Sequence, residues 1–206
     1  MQTRKSIVGW PSMLFAAACL QVLAFSVQAA DADSQQVVPK GALADATRAL
    51  EGSGAGKVLE IRLADQAGDP VFEAALKKPE GDGVVYMRVT VPGDEIAHIK
   101  VSELPQWMVD YHLDAYMRSV DKAKVPLTNA IERAEKRADA PAVAAGVARP
   151  LTGGNTVLAW FVETLKGKKR ELLAIDAVYG APIANPEELY ERRTPVDLAR
   201  RLAEAP

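Results

Sequence analysis

The stretch Arg170 to Ile183, R-E-L-L-A-I-D-A-V-Y-G-A-P-I, decides how the rest of the chain is read. Its apolar residues alternate, as on a half-buried strand, and Val178-Tyr179-Gly180 makes a tight corner before a second short extended piece. A looser version stands at Val84 to Ile96, V-V-Y-M-R-V-T-V-P-G-D-E-I, again strand, Gly-containing turn and short strand. The echo extends upstream, where Leu43-Ala44-Asp45-Ala46-Thr47-Arg48-Ala49-Leu50-Glu51 is answered without gaps by Leu127-Thr128-Asn129-Ala130-Ile131-Glu132-Arg133-Ala134-Glu135. Two copies of one helix-then-sheet unit are therefore the expected body of the protein.

Each unit is built the same way. In the first, Leu43, Ala46, Thr47 and Leu50 share one face of a helix over Ala42–Glu51, and Gly52 to Gly56 ends it. Three strands follow, with inward sets Leu59, Ile61, Leu63, then Phe72, Ala74, Leu76, then Val85, Met87, Val89, Val91. Their other face, with Glu60, Arg62, Glu73, Lys77 and Arg88, reads as the wet side of an antiparallel sheet. In the second unit Pro126 opens a helix with Leu127, Ala130, Ile131, Ala134 and Ala138 on its stripe, and an alanine-rich strand, Ala142 to Leu151, and the strong strand Thr156 to Leu165 follow. The expectation is an α+β protein with units at 41–101 and 125–190, each one helix packed on a curved antiparallel sheet. Residues 102–124 join them as an amphipathic helix resting on the sheet through Leu104, Trp107, Met108, Tyr111, Ala115 and Val120, and 191–206 form a peripheral helix with a thin apolar edge, Val196, Leu198 and Leu202.

The first 29 residues read as a signal peptide. Arg4 and Lys5 form a basic start, Met13 to Val27 is apolar, and Val27-Gln28-Ala29 suits signal peptidase, with Ala30-Asp31-Ala32 as a second site. A retained anchor is the alternative, but the run is short for a span of about 20 residues and Pro11 interrupts it. Cys19, the single cysteine, lies in this segment. Ala16-Ala17-Ala18-Cys19 loosely resembles a lipoprotein processing site, but lacks the usual leucine and precedes a long apolar stretch. The exported chain has no thiol for a disulfide, a nucleophile or a metal. Residues 30–40 read as a flexible leader. A net charge of −2, falling to about −4 without Arg4 and Lys5, offers no electrostatic reason to bind nucleic acid or an anionic membrane.

The order helix, strand, strand, strand, closing on Ile175-Asp176-Ala177-Val178-Tyr179-Gly180-Ala181-Pro182-Ile183, resembles the PepSY domain, whose repeats commonly end in a V-D-A-x-T-G-x-V-L-like string. The match is good at Leu127 to Glu135 and Leu172 to Ile183 and poor at Ala142 to Thr152. In the first unit Val89 to Ile96 keeps the turn glycine but lacks the Asp-Ala pair. The resemblance implies a cystatin-like fold and a regulatory or inhibitory role toward secreted proteases, with no catalytic residues to carry over. Asp176 is expected to organise the following turn.

Residue chemistry points the same way. A nucleophile needs a base beside it, and His98 and His112 are the two histidines, expected on an edge strand and on a polar helix face. No catalytic, metal or cofactor site is nominated. One surface does ask for a partner: Val157, Ala159 and Phe161 are apolar on the face opposite Leu158, Trp160 and Val162, and Leu172 is expected to join them. Trp107, Met108 and Tyr111 of the joining helix are one cover for it; a partner protein, a second copy or a peptide added to a sheet edge are others. The expected function is that of an exported, non-enzymatic binding or regulatory protein acting on an envelope or secreted protease, with a structural or assembly role in the envelope as the alternative.

Overall fold

A computed structural model of the chain describes residues 38–64, 70–81, 83–90, 97–103, 107, 113–150, 157–191, 195–197 and 200, with backbone alone at 97–103, 149–150 and 189–191. Helix α1, Ala42–Gly52, buries Leu43, Ala44, Ala46, Thr47 and Leu50, the stripe its spacing predicts. Thr47 sits there without cost in polarity, because its hydroxyl donates to the Leu43 carbonyl at 2.7 Å. Strands β1 (Lys57–Ala64), β2 (Val71–Lys77), β3 (Val84–Thr90) and β4 (Ala97–Glu103) follow. Then come α2 (Asp114–Lys122), α3 (Leu127–Ala138), β5 (Ala142–Val147) and the two-residue β6 (Arg149–Pro150). The chain continues through β7 (Ala159–Lys166), β8 (Lys169–Asp176), β9 (Pro182–Ile183), α4 (Pro186–Leu189) and β10 (Tyr190–Glu191).

The fold is α+β. Among the described residues eight strands form one sheet in the order β4-β3-β2-β1-β5-β7-β8-β9, antiparallel at every step, and β6 pairs with β10 separately. Helices α1 and α3 pack on each other and on the sheet, and α2 lies against β1 and β5. Helix α3 buries Leu127, Thr128, Ala130, Ile131 and Ala134, which align one for one with the buried set of α1. The two stretches read as separate units share this one sheet, because β1 pairs with β5 at its centre, Ile61 opposite Ala145. Gly146 makes the approach possible: a Cβ there would stand 2.7 Å from the Leu59 carbonyl oxygen.

Three expectations change. A bulge between Val58 and Glu60 pairs Val58 with Leu76, so Val58 joins the helix-side set and both Val58 and Leu59 are fully buried. The joining segment starts differently: Ser102 and Glu103 belong to β4, opposite Tyr86 and Val85, while Trp107 is helical and the helix Asp114–Lys122 buries Tyr116, Met117 and Val120. The end of the leader is tied down, with Val38 buried and Lys40 paired to Asp139 at the end of α3. The turns at 65–69 and 151–156, Val91, Leu104, His112, Leu198, Leu202, the signal segment and residues 30–37 lie outside the described residues. His98 lies on β4, which forms one edge of the sheet.

The turn in the opening stretch forms as its sequence suggests. The Asp176 carboxylate accepts the backbone N–H groups of Val178 at 2.7 Å and Tyr179 at 2.9 Å. Gly180 closes it at φ 73°, and its carbonyl accepts from Arg133 Nη1 of α3 at 2.6 Å. A Cβ on Gly180 would displace that guanidinium, which it would meet at 2.0 Å, and the backbone angle itself favours glycine.

Candidate functional site

The face of the sheet turned away from α1 and α3 carries two cross-strand rows, fixed by the registers. One runs Arg88, Glu73, Arg62, Ala144, Glu163, Leu172; the other runs Tyr86, Ala75, Glu60, Gly146, Phe161, Ala174, Ile183. Both rows change character at the small residues of β5. Charges and a phenol lie on the β1–β3 side, and apolar side chains dominate the β7–β9 side.

The charged half is not the wet surface that alternation predicts. Glu60 and Glu73 are 1% and 2% exposed, and Ala75 is fully buried. Glu73 accepts from Arg88 Nη2 at 2.7 Å and Nε at 2.9 Å, from the Tyr86 hydroxyl at 3.0 Å and from Arg62 at 3.4 Å. Burial by itself would raise the Glu73 carboxyl, but the hydrogen bonds from Arg88 and Tyr86 and the charges of Arg62 and Arg88 outweigh it and hold the group below its ordinary range. Burial and the Glu73 charge push Tyr86 up to about 12, so its hydroxyl stays a donor.

Part of the cover of this half comes from residues 195–197 and Arg200. Residues 195–197 and Arg200 are helical, Val196 is fully buried, and its N–H donates to Glu60 Oε2 at 2.7 Å. Asp197 pairs with Arg62 at 2.7 Å, and Arg200 reaches Asp197 at 3.4 Å and Glu73 at 4.0 Å. The segment expected to be peripheral is anchored at this point, and Glu60 acts as a capping acceptor supplied by another strand. Glu60, Glu73 and Asp197 thus interleave with Arg62, Arg88 and Arg200 so that buried charge is compensated. The sequence carried a signal for this, matched acids and arginines at facing positions, but polar alternation alone reads as solvent exposure.

The apolar half holds the nominated surface residues. Phe161 and Leu172 are half-buried on the same face, Phe161 beside the buried Ala148, Ala159 and Ala174 together with Ile183. Val157 is 46% exposed. Trp107 is 65% exposed, which is not the burial expected of a side chain covering this patch, and Met108 and Tyr111 lie outside the described residues. Next to the patch the sheet ends unevenly. Strand β9 pairs only with Ala174 and Ile175 of the eight-residue β8, α4 packs on β8 as well, and among the described residues no strand pairs with Lys169–Leu173 on that side.

Among the described residues no three His, Cys, Asp or Glu side chains are grouped to hold a metal ion, and no helix is long and apolar enough to cross a membrane. No family model matches the chain, so the likeness to PepSY repeats rests on the quoted residues, and no curated protein matches it. Among solved structures the chain is similar to one described as a putative lipoprotein (CD1622) from Clostridium difficile 630, with 12% identity, coverage of 65% of this chain and 84% of that one, and a TM-score of 0.39.

Proposed function

We propose that this chain is an exported, non-enzymatic binding protein that regulates an envelope or secreted protease through the apolar half of its outer sheet face. The observation that carries the reading is the junction of a half-buried apolar patch, Phe161 and Leu172, with the unevenly paired edge of β8. Asp176 N–H donates to Ala181 O across that edge at 2.7 Å, so the two-residue period aims the backbone groups of Leu172 and Arg170 the same way. An extended segment of a partner adds there as a strand and lays its side chains on Phe161 and Leu172. The exposed Lys169, Arg170 and Glu171 discourage indiscriminate pairing. Export rests on the N-terminal basic and apolar pattern, and the protease on the PepSY-like repeats.

The test is an activity and complex-formation assay of the purified protein against secreted thermolysin-like proteases. Inhibition or a stable complex is expected, weakened by an F161D/L172D double variant. Unchanged protease rates together with no detectable complex would refute the protease assignment.

A further inference from the structure

Glu51 and Glu135 hold the same place at the ends of α1 and α3, and each accepts the backbone N–H seven residues on, from Val58 at 3.2 Å and from Ala142 at 2.8 Å. Their remaining partners differ. The Glu135 oxygens also accept Gly41 N–H, at 3.0 and 3.2 Å, from the segment that enters α1. That segment lies down with Val38 buried and Lys40 on Asp139.

The counterpart of Gly41 is Val125, in the segment entering α3. Its N–H turns instead to the Ala177 carbonyl at 2.9 Å, as does that of Lys124, and its own carbonyl accepts from Trp160 Nε1 at 2.7 Å. The segment is held to the sheet, and Glu51 keeps Val58 as its one hydrogen-bond donor among the described residues. A cleft of about 560 Å³ opens here, lined by Glu51, Lys57 and Lys124 and by the apolar Pro79, Ala123 and Pro126, with Trp160 also on its wall. Lys57 is already paired with Asp121 at 3.3 Å, whereas among the described residues no ion pair engages Lys124. Glu51 stays open to solvent, while partial burial of its carboxyl raises its pKa against the Val58 hydrogen bond and the Lys57 charge.

We propose that this cleft binds an extended acidic peptide in the way that Glu135 already holds the chain at Gly41. A backbone N–H of the peptide donates to Glu51, an apolar side chain lies on Pro79, Ala123 and Pro126, and a carboxylate pairs with Lys124. The site is separate from the outer-face surface, and the two readings stand or fall independently.

The test is an NMR titration of the purified protein with the pentapeptide V-V-P-E-G, a copy of Val37 to Gly41 with glutamate in place of Lys40, beside the parent V-V-P-K-G. The glutamate peptide is expected to shift the amides of Gly54, Gly56 and Lys124 and the Trp160 indole, saturably and more tightly than the lysine peptide. Hydrogen bonds to charged groups set the scale, so E51Q and K124E each weaken it about tenfold or more. The buried Ala134 and Val162 amides, remote from Glu51, serve as the folding control for E51Q, and F161D/L172D leaves the titration unchanged. Absence of shifts at these positions, equal binding of the two peptides, or E51Q and K124E binding as the parent protein does would overturn the proposal.

Discussion

Arg48 of α1 pairs with Glu132 of α3, the residue 84 positions on that stands in its own place when the two helices are aligned. Ile61 of β1 faces Ala145 of β5 at the same spacing. A residue meets its own counterpart only on a twofold axis, so an approximate axis passes through both the helix pair and the centre of the sheet. The Arg48–Glu132 pair is half exposed and contributes at most about 1 kcal/mol. The seam is held by β1, β5 and the packing of α1 on α3.

That seam has little room to spare. An added methyl in G146A would meet the Leu59 carbonyl oxygen at 2.7 Å and Glu60 Cα at 2.8 Å, both on a paired strand that can yield only by shifting backbone. The variant is expected to lose about 1–3 kcal/mol in urea unfolding while keeping a single transition. An unchanged midpoint would show that the close approach is not constraining.

Replacing Glu73 leaves Arg88 partly buried without its carboxylate and Arg62 to Asp197, and E73L is expected to cost about 3 kcal/mol, the lower end for a broken buried pair because both arginines keep some water. The same carboxylate sets an acid limb. Its folded pKa lies below the unfolded value, so its contribution is complete above the ordinary carboxyl range and is lost as pH falls through the lowered folded value. Asp121, lowered by its hydrogen bond from Lys77, acts in the same direction. Thermal unfolding followed from pH 7 downward should show this loss, and E73L should flatten it.

At the C-terminal end, V196A removes fully buried methyl groups and is expected to cost about 2 kcal/mol. Truncation after Thr194 should cost more, since it also removes the N–H bonded to buried Glu60 and the Asp197 partner of Arg62. Hydrogen exchange of β1 and β2 amides measures the effect. Protection as high as in the full chain would mean that the terminal segment adds nothing to the sheet.

D176A removes two backbone acceptor contacts at the β8–β9 corner and is expected to cost about 1–2 kcal/mol. G180A should cost at least as much, because it strains a φ of 73° and displaces Arg133 from its carbonyl. A G180A midpoint equal to that of the parent protein would exclude both effects.

The helices, the strands and the corner at Asp176 were legible because each is written in local periodicity: α1 and α3 in a 3.6-residue stripe, β7 and β8 in a two-residue alternation, the corner in an Asp followed by a positive-φ glycine. The bulge at Leu59 was not, since a single unpaired residue leaves no mark on composition yet moves Val58 to the other face. The nominated patch was readable as an apolar second face on β7. Trp107, read as one cover for it, is largely exposed instead, because helix spacing does not say where a helix docks.

By itself the sequence determined that two similar α-then-β stretches follow one another, since hydrophobic period and turn chemistry act within a few residues of the chain. Only tertiary structure decided that the stretches share one sheet, that Glu60 and Glu73 lie under the terminal segment instead of in water, and that Glu51 and Glu135 find different partners. Those outcomes depend on contacts such as Val196 with Glu60, 136 residues apart, where burial and charge pairing are settled by which surfaces meet and not by the pattern along either one.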